Sequence, residues 1–136
     1  MESNYKILVA DDEQGIRDLL SDLLKDYFEV DTVDRGDTIL DRLKKGGHEI
    51  LILDLRLPGM SGHDVLKRIH EDKIRVVVVV ITASSDIETA ITSMKLGAYD
   101  YYVKTTEEVL EIIRGFGPLE AEKIDLFASP GRVLSQ

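Results

Sequence analysis

Hydrophobic residues recur along this chain with two alternating periods. Lys6-Ile7-Leu8-Val9-Ala10 is a short apolar run that ends at Asp11-Asp12 and predicts a strand. Ile16, Leu19, Leu20, Leu23 and Leu24 then fall at the spacing of one helix face. Phe28 to Val33 alternates, which predicts a strand with one wetter face at a sheet edge. Ile39, Leu40 and Leu43 mark a second helix, stopped by Gly46-Gly47. Ile50 to Leu53 is a third strand ending at Asp54, and Pro58-Gly59 a turn. Val65, Leu66 and Ile69 predict a third helix, with Ser61 and Asp64 at capping-box spacing. Val76 to Ile81 is unbroken and β-branched, as expected of a central parallel strand buried on both faces. Ser85 and Glu88 have capping-box spacing before a fourth helix, whose apolar stripe is Ile87, Ala90, Ile91 and Met94 and whose C-terminal cap is Gly97. Tyr99 to Val103 is a fifth strand. Thr105 and Glu108 then precede a fifth helix carried by Val109, Leu110, Ile112 and Ile113.

Five strands alternating with five helices imply an α/β fold, a parallel sheet with helices on both faces and right-handed crossovers. The pattern stops after residue 114. Gly115-Phe116-Gly117-Pro118 punctuates the chain, residues 119–127 could form a short helix, and Ser129-Pro130-Gly131 leads into a polar end. The expectation is one domain over residues 4–114 and a C-terminal extension or linker over 115–136, too short for a DNA-binding domain. The chain then stands alone or is a piece of a longer regulator.

Composition narrows the function. With 17 Lys and Arg against 26 Asp and Glu, the net charge is -9, which argues against direct nucleic-acid binding, because phosphate contacts need clustered cations. The absence of Cys excludes disulfides, thiolate metal sites and Cys nucleophiles. The longest apolar run, Val76 to Ile81, is far short of the roughly 20 residues that span a bilayer. Residues 1–6 carry no secretory apolar segment. No membrane role and a cytoplasmic location are the expectations.

In an open parallel sheet, ligands bind at the carboxyl ends of the strands. Strand one ends in Asp11 and Asp12, strand three in Asp54, strand four in Thr82 and strand five in Lys104. Two carboxylates ~5 Å apart repel by roughly 3 kcal/mol at an effective dielectric of about 20. Either one takes up a proton or a cation sits among them. All candidate ligands are oxygens, so a hard divalent ion fits, and Mg²⁺ leaves room for phosphate oxygens. Lys104, a single charge on a flexible stem, is not expected to replace that ion and is better suited to an incoming phosphoryl oxygen. Asp54 beside such an ion is a candidate nucleophile for phosphoryl transfer, giving an aspartyl phosphate. Thr82 could donate its hydroxyl, and Ala83 its backbone N–H, to the phosphoryl group. Taken singly, each residue has a plainer reading: a strand-end Asp caps a helix, Lys104 is a solvated charge, Tyr101 packs in the core. His48, His63 and His70 lie on separate elements without ligand spacing and read as surface residues.

Asp11-Asp12-Glu13, Asp54-Leu55-Arg56-Leu57-Pro58-Gly59-Met60-Ser61-Gly62, Thr82-Ala83 and Gly97-Ala98-Tyr99-Asp100-Tyr101-Tyr102-Val103-Lys104 stand in order. Together they resemble the receiver domain of two-component response regulators, with wording closest to the nitrogen-regulatory, enhancer-binding type. The resemblance implies a flavodoxin-like (βα)5 three-layer sandwich with strand order 2-1-3-4-5. It implies that Asp54 accepts a phosphoryl group from a sensor histidine kinase or phosphotransfer protein. Mg²⁺, with Mn²⁺ able to substitute, would be held by Asp12, Asp54 and the backbone carbonyl of Arg56, with Asp11 acting through water. Lys104 would pair with the phosphoryl group, Thr82 would move toward it, and Tyr101 would rotate inward. Chemistry would be limited to self-catalysed phosphotransfer and autodephosphorylation. The Arg56 position influences phosphoryl lifetime in the family, by reaching the phosphoryl group or by obstructing water. Phosphorylation adds about -1.5 to -2 charges, and the helix 4-strand 5-helix 5 surface is the expected output face and homodimer interface. One departure stands out: the family usually has Pro, often cis, after the Lys, and here it is Thr105. A cis bond before a non-proline residue costs ~3 kcal/mol, so a trans bond or an altered loop is expected.

Two other readings remain beside this one. A Mg²⁺-dependent aspartyl-phosphate phosphatase usually carries a second acid two residues after the nucleophile, where this chain has Arg56. A receiver-like interaction module that is never phosphorylated has no need of the Asp11, Asp12, Asp54, Thr82 and Lys104 set. A nucleotide-binding module is disfavoured because no Gly-rich phosphate loop follows any strand.

Overall fold

The computed structural model describes residues 5–83 and 86–104. The predicted fifth helix with Thr105, and the extension over 115–136, lie outside the described residues. The elements run β1 (Lys6–Ala10), α1 (Gln14–Leu24), β2 (Glu29–Val33), a 3-10 turn (Gly36–Thr38), α2 (Ile39–Gly46), β3 (Ile50–Asp54), α3 (Gly62–Glu71), β4 (Val77–Thr82), α4 (Ile87–Lys95) and β5 (Asp100–Val103). The five strands form one parallel sheet in the order β2-β1-β3-β4-β5. This is the flavodoxin-like order, with β2 on an edge as its alternation predicts.

Alternation along the strands divides the core in two. Ile7, Val9, Ile50, Ile52, Val77, Val79 and Ile81 pack on one face with Leu20, Leu24 and Phe28. Leu8, Ala10, Leu51, Leu53, Val78 and Val80 face the other side, with Ile39, Leu40 and Leu43 from α2 and Val65, Leu66 and Ile69 from α3. Successive strand residues point to opposite faces, so a strand covered on both faces must be apolar throughout. Each fully buried Val, Leu or Ile contributes about 1.5–3 kcal/mol.

The strand ends are aligned by register. Ala10 pairs with Leu53 and Leu53 with Val80, so Asp11 and Asp54 leave the sheet side by side. Thr82 pairs with Val103, and the Lys104 amide donates to the Thr82 carbonyl at 2.7 Å. The loop after Asp54 is braced by the turn before α2. The Gly36 amide donates to the Pro58 carbonyl at 2.9 Å, and a Cβ on Gly36 would lie 1.8 Å from the Met60 carbonyl oxygen. Ser61 then caps α3, its Oγ accepting from the Asp64 amide at 3.2 Å.

Several expectations need correction. The N-cap of α4 is Asp86, whose carboxylate accepts from the Glu88 amide at 3.1 Å, not Ser85. β4 runs one residue later than the apolar run, ending at Thr82. The stripe on α4 does not enter the core: Ile87 is 72% exposed, and Ile91 and Met94 are also exposed. Among the described residues of α4 only Ser93 is buried. Ser93 Oγ donates to the Thr89 carbonyl at 2.9 Å and lies 3.1 Å from Nε2 of His63 on α3. His48 and His63 are therefore not surface residues. His48 is buried, with Nε2 2.8 Å from Asp31 Oδ2, and His63 is half-buried. His70 is exposed as expected. No helix among the described residues is long and apolar enough to cross a membrane.

Two glycines test this account in opposite directions. Gly36→Ala pushes a methyl into backbone and is expected to lower stability by about 2–3 kcal/mol. Gly15→Ala, in the first turn of α1 with nothing within 4 Å of the new Cβ, is expected to raise it by about 0.5–1 kcal/mol. Urea unfolding midpoints of the two variants check both signs.

Candidate functional site

β1 and β3 carry their apolar alternation up to the sheet edge and then each releases an acid. Asp11 continues the β1–β2 ladder, its amide donating to the Val33 carbonyl at 3.1 Å, and its carbonyl accepts from Arg17 Nη1 at 2.8 Å. The Asp11 side chain is thereby fixed and fully buried. Asp54, the last residue of β3, is also buried, and its Oδ1 accepts from the Arg56 amide at 3.1 Å. Asp12 is exposed. Oxygens of Asp11, Asp12 and Asp54 all lie within 4.8 Å of one another.

Lys104 enters this group from the end of β5. Its Nζ donates to Asp11 Oδ1 and to Asp54 Oδ2, each at 3.1 Å. It also lies 2.5 Å from Glu13 Oε1. The ammonium thus bridges the two buried acids, a position the strand-end pattern reserved for a divalent ion. One lysine offsets part of the repulsion but leaves more acids than cations. Asp11 Oδ2 lies 3.0 Å from the ammonium yet receives no directed hydrogen bond among the described residues.

The energetics follow from burial. Desolvation pushes the Asp11 carboxyl above its ordinary value of 3.8, against the lowering effect of the Glu13 amide and of Lys104, with Asp54 adding to the rise. Burial alone would lower the Lys104 ammonium. Its hydrogen bonds to Glu13, Asp11 and Asp54 outweigh that and hold its pKa well above the ordinary lysine value.

The other predicted residues surround this centre. Thr82 is buried, and its Oγ1 has no hydrogen-bond partner among the described residues. Ala83 follows it on the surface, and Arg56 is exposed beside Asp54. Tyr101 on β5 is half-buried against the core face that α2 and α3 cover. Glu13 was not singled out by the strand-end argument, because it stands three residues beyond Ala10, the last core-facing position of β1. Its signal is the run of three acids opposite a strand-end lysine.

A divalent cation suits this donor set. Three carboxylates converge, two of them buried, and one buried oxygen lacks a directed donor among the described residues. Hard divalent ions bind such all-oxygen sites.

Comparison with known proteins agrees with this architecture. Residues 7–114 match the response regulator receiver domain family. The chain is 30% identical over 121 residues to sporulation initiation phosphotransferase F of Bacillus subtilis, covering 87% of this chain and 98% of that protein. It is 34% identical over 116 residues to the transcriptional regulatory protein YkoG of the same organism, covering 84% of this chain but only 51% of YkoG. The BeF3-activated N-terminal receiver domain of Klebsiella pneumoniae RstA superposes with a TM-score of 0.72 at 25% identity, over 80% of this chain and 93% of that one. The chain belongs to the response regulator receiver family, whose domains take phosphoryl groups from histidine kinases or phosphotransfer proteins.

The raised Asp11 value fixes the sign of a pH effect. In the folded protein Asp11 holds its proton more tightly than in the unfolded chain. Its contribution to stability is therefore present below 3.8 and is lost as pH rises through the raised value. In metal-free buffer Asp11→Asn is expected to be more stable than wild type at neutral pH, by about 1 kcal/mol or a few degrees in Tm. The gap should shrink as pH falls from about 7 to about 4. Thermal melts of both proteins across that range check it.

Proposed function

We propose that this chain accepts a phosphoryl group on Asp54, with Mg²⁺ or Mn²⁺ as the divalent cofactor, and passes on a two-component signal. The observation that carries this reading is Asp54 itself. It is a buried carboxylate at the end of a central strand, with Lys104 Nζ 3.1 Å from its Oδ2 and with Asp11 and Asp12 oxygens within 4.8 Å. A carboxylate oxygen of Asp54 attacks phosphorus, the bond from phosphorus to the donor imidazole breaks, and an acyl phosphate forms. Asp12, Asp54 and the backbone carbonyl of Arg56 would hold the ion, with Asp11 acting through water. When bound, it supplies charge neutralisation for the phosphoryl oxygens. Lys104 turns its ammonium from the Asp54 carboxylate to a phosphoryl oxygen on the same residue. The Ala83 amide donates to another.

Two further observations support a switch. The Thr82 hydroxyl is buried without a hydrogen-bond partner among the described residues, so a new acceptor at Asp54 offers it one. Ile87, Ile91 and Met94 on α4, with Tyr99, are exposed, an apolar face suited to an output contact or to a second copy of the chain. Movement of Thr82 toward the phosphoryl group and inward rotation of Tyr101 would link the two. The expected fifth helix, part of the same proposed surface, lies outside the described residues.

Incubation with acetyl phosphate and MgCl₂ followed by intact mass is expected to show one added phosphoryl group. It should be lost in Asp54→Asn and in the presence of a chelator. Steady turnover of an external phosphate ester would instead favour a phosphatase. Saturation with beryllofluoride and Mg²⁺ is expected to shift amide resonances over residues 86–104, and an unchanged spectrum there would remove the proposed switch.

A further inference from the structure

Glu13 is more than half exposed, yet its carboxylate lies 2.5 Å from the ammonium of Lys104. Its place in the chain offers a simpler task, since it is the N-cap residue of α1. Ser, Thr, Asp and Asn at that place accept from an amide of the first turn, a task to which the longer Glu side chain is less suited. It makes no such bond. Its backbone is occupied elsewhere too, the Glu13 amide donating to Asp11 Oδ1 at 2.8 Å. One residue therefore touches Asp11 through its main chain and Lys104 through its side chain.

An ammonium has three donors. Those of Lys104 meet three carboxylates: Asp11, Asp54 and Glu13. Asp11 and Asp54 also belong to the trio able to hold a divalent ion, and Glu13 does not. A lysine and a divalent ion thus compete for the same two buried acids. The outcome depends on whether the lysine has somewhere else to put its charge. An exposed ion pair usually contributes little, because two long side chains must be ordered. Here the Lys104 side chain is 10% exposed and already fixed by the two buried acids, so only Glu13 loses freedom.

We propose that Glu13 is a positioning residue for Lys104. It gives the ammonium a partner outside the metal-binding trio and so lets Asp11 and Asp54 take up a divalent cation without stranding a buried lysine. The same grip keeps Lys104 beside Asp54 for the phosphoryl group. This inference rests on the phospho-acceptor reading, since it concerns the loading of that same site.

The test is calorimetric titration of MgCl₂ into the full chain without a phosphodonor. It compares wild type, Glu13→Gln, Lys104→Met and the double variant. Glu13→Gln is expected to bind Mg²⁺ about fivefold more weakly than wild type, the scale of one ion pair. Lys104→Met is expected to bind more tightly than wild type. Adding Glu13→Gln to Lys104→Met should then change the affinity by less than about twofold, because the coupling runs through the lysine. An equal loss in both backgrounds would mean that Glu13 acts only through the field of its charge, and the proposal would fall. An unchanged affinity in Glu13→Gln, with wild type binding normally, would overturn this inference alone. A wild-type chain that takes up no Mg²⁺ would overturn it together with the phospho-acceptor reading.

Discussion

The bridge from Lys104 Nζ to Asp11 and Asp54 ties together the ends of three strands that are far apart in sequence. The sheet alone would bring two buried carboxylates together and leave their repulsion uncompensated. At ~5 Å that repulsion is worth roughly 3 kcal/mol at an effective dielectric of about 20, a sizeable share of the stability of a small domain. The lysine at the end of β5 makes the arrangement tolerable while leaving it short of positive charge. The site therefore keeps an excess of acids that one lysine does not neutralise.

The rest of the architecture serves that edge. The paired registers of β1 and β3 deliver Asp11 and Asp54 to one level, and Thr82 stands one residue further along β4. The β5 register adds Lys104 beside Thr82. The close fit of Gly36 under the Met60 carbonyl, with the cap at Ser61, holds the loop after Asp54 against the turn before α2. The proposed attack of Asp54 on phosphorus gains from such fixed surroundings, because positioning supplies much of the catalysis of phosphoryl transfer.

Much of this was legible in the amino-acid sequence. Strands buried on both faces write themselves as unbroken apolar runs, and their ends fall where the first acid or hydroxyl appears. The reading failed where periodicity has no power. The stripe of Ile87, Ile91 and Met94 has helical spacing, but spacing does not say whether a face is covered, and the covered residue proved to be the polar Ser93. His48 read as a surface residue because nothing local reveals that Asp31, on the edge strand β2, turns a carboxylate toward it. Ser85 and Asp86 have the same capping chemistry at adjacent positions, and only the helix register separates them. Glu13 stands in the acidic run Asp11-Asp12-Glu13, but its part was not legible there because it depends on a lysine 91 residues away in the chain.

The seat of α4 carries a consequence of its own. Ser93 Oγ spends its single hydrogen on the Thr89 carbonyl, so toward His63 it can only accept. The imidazole must therefore donate from Nε2, which fixes its tautomer when neutral. The polar contact that seats α4 on α3 is therefore directional, and a side chain that can only accept could not replace the imidazole at position 63.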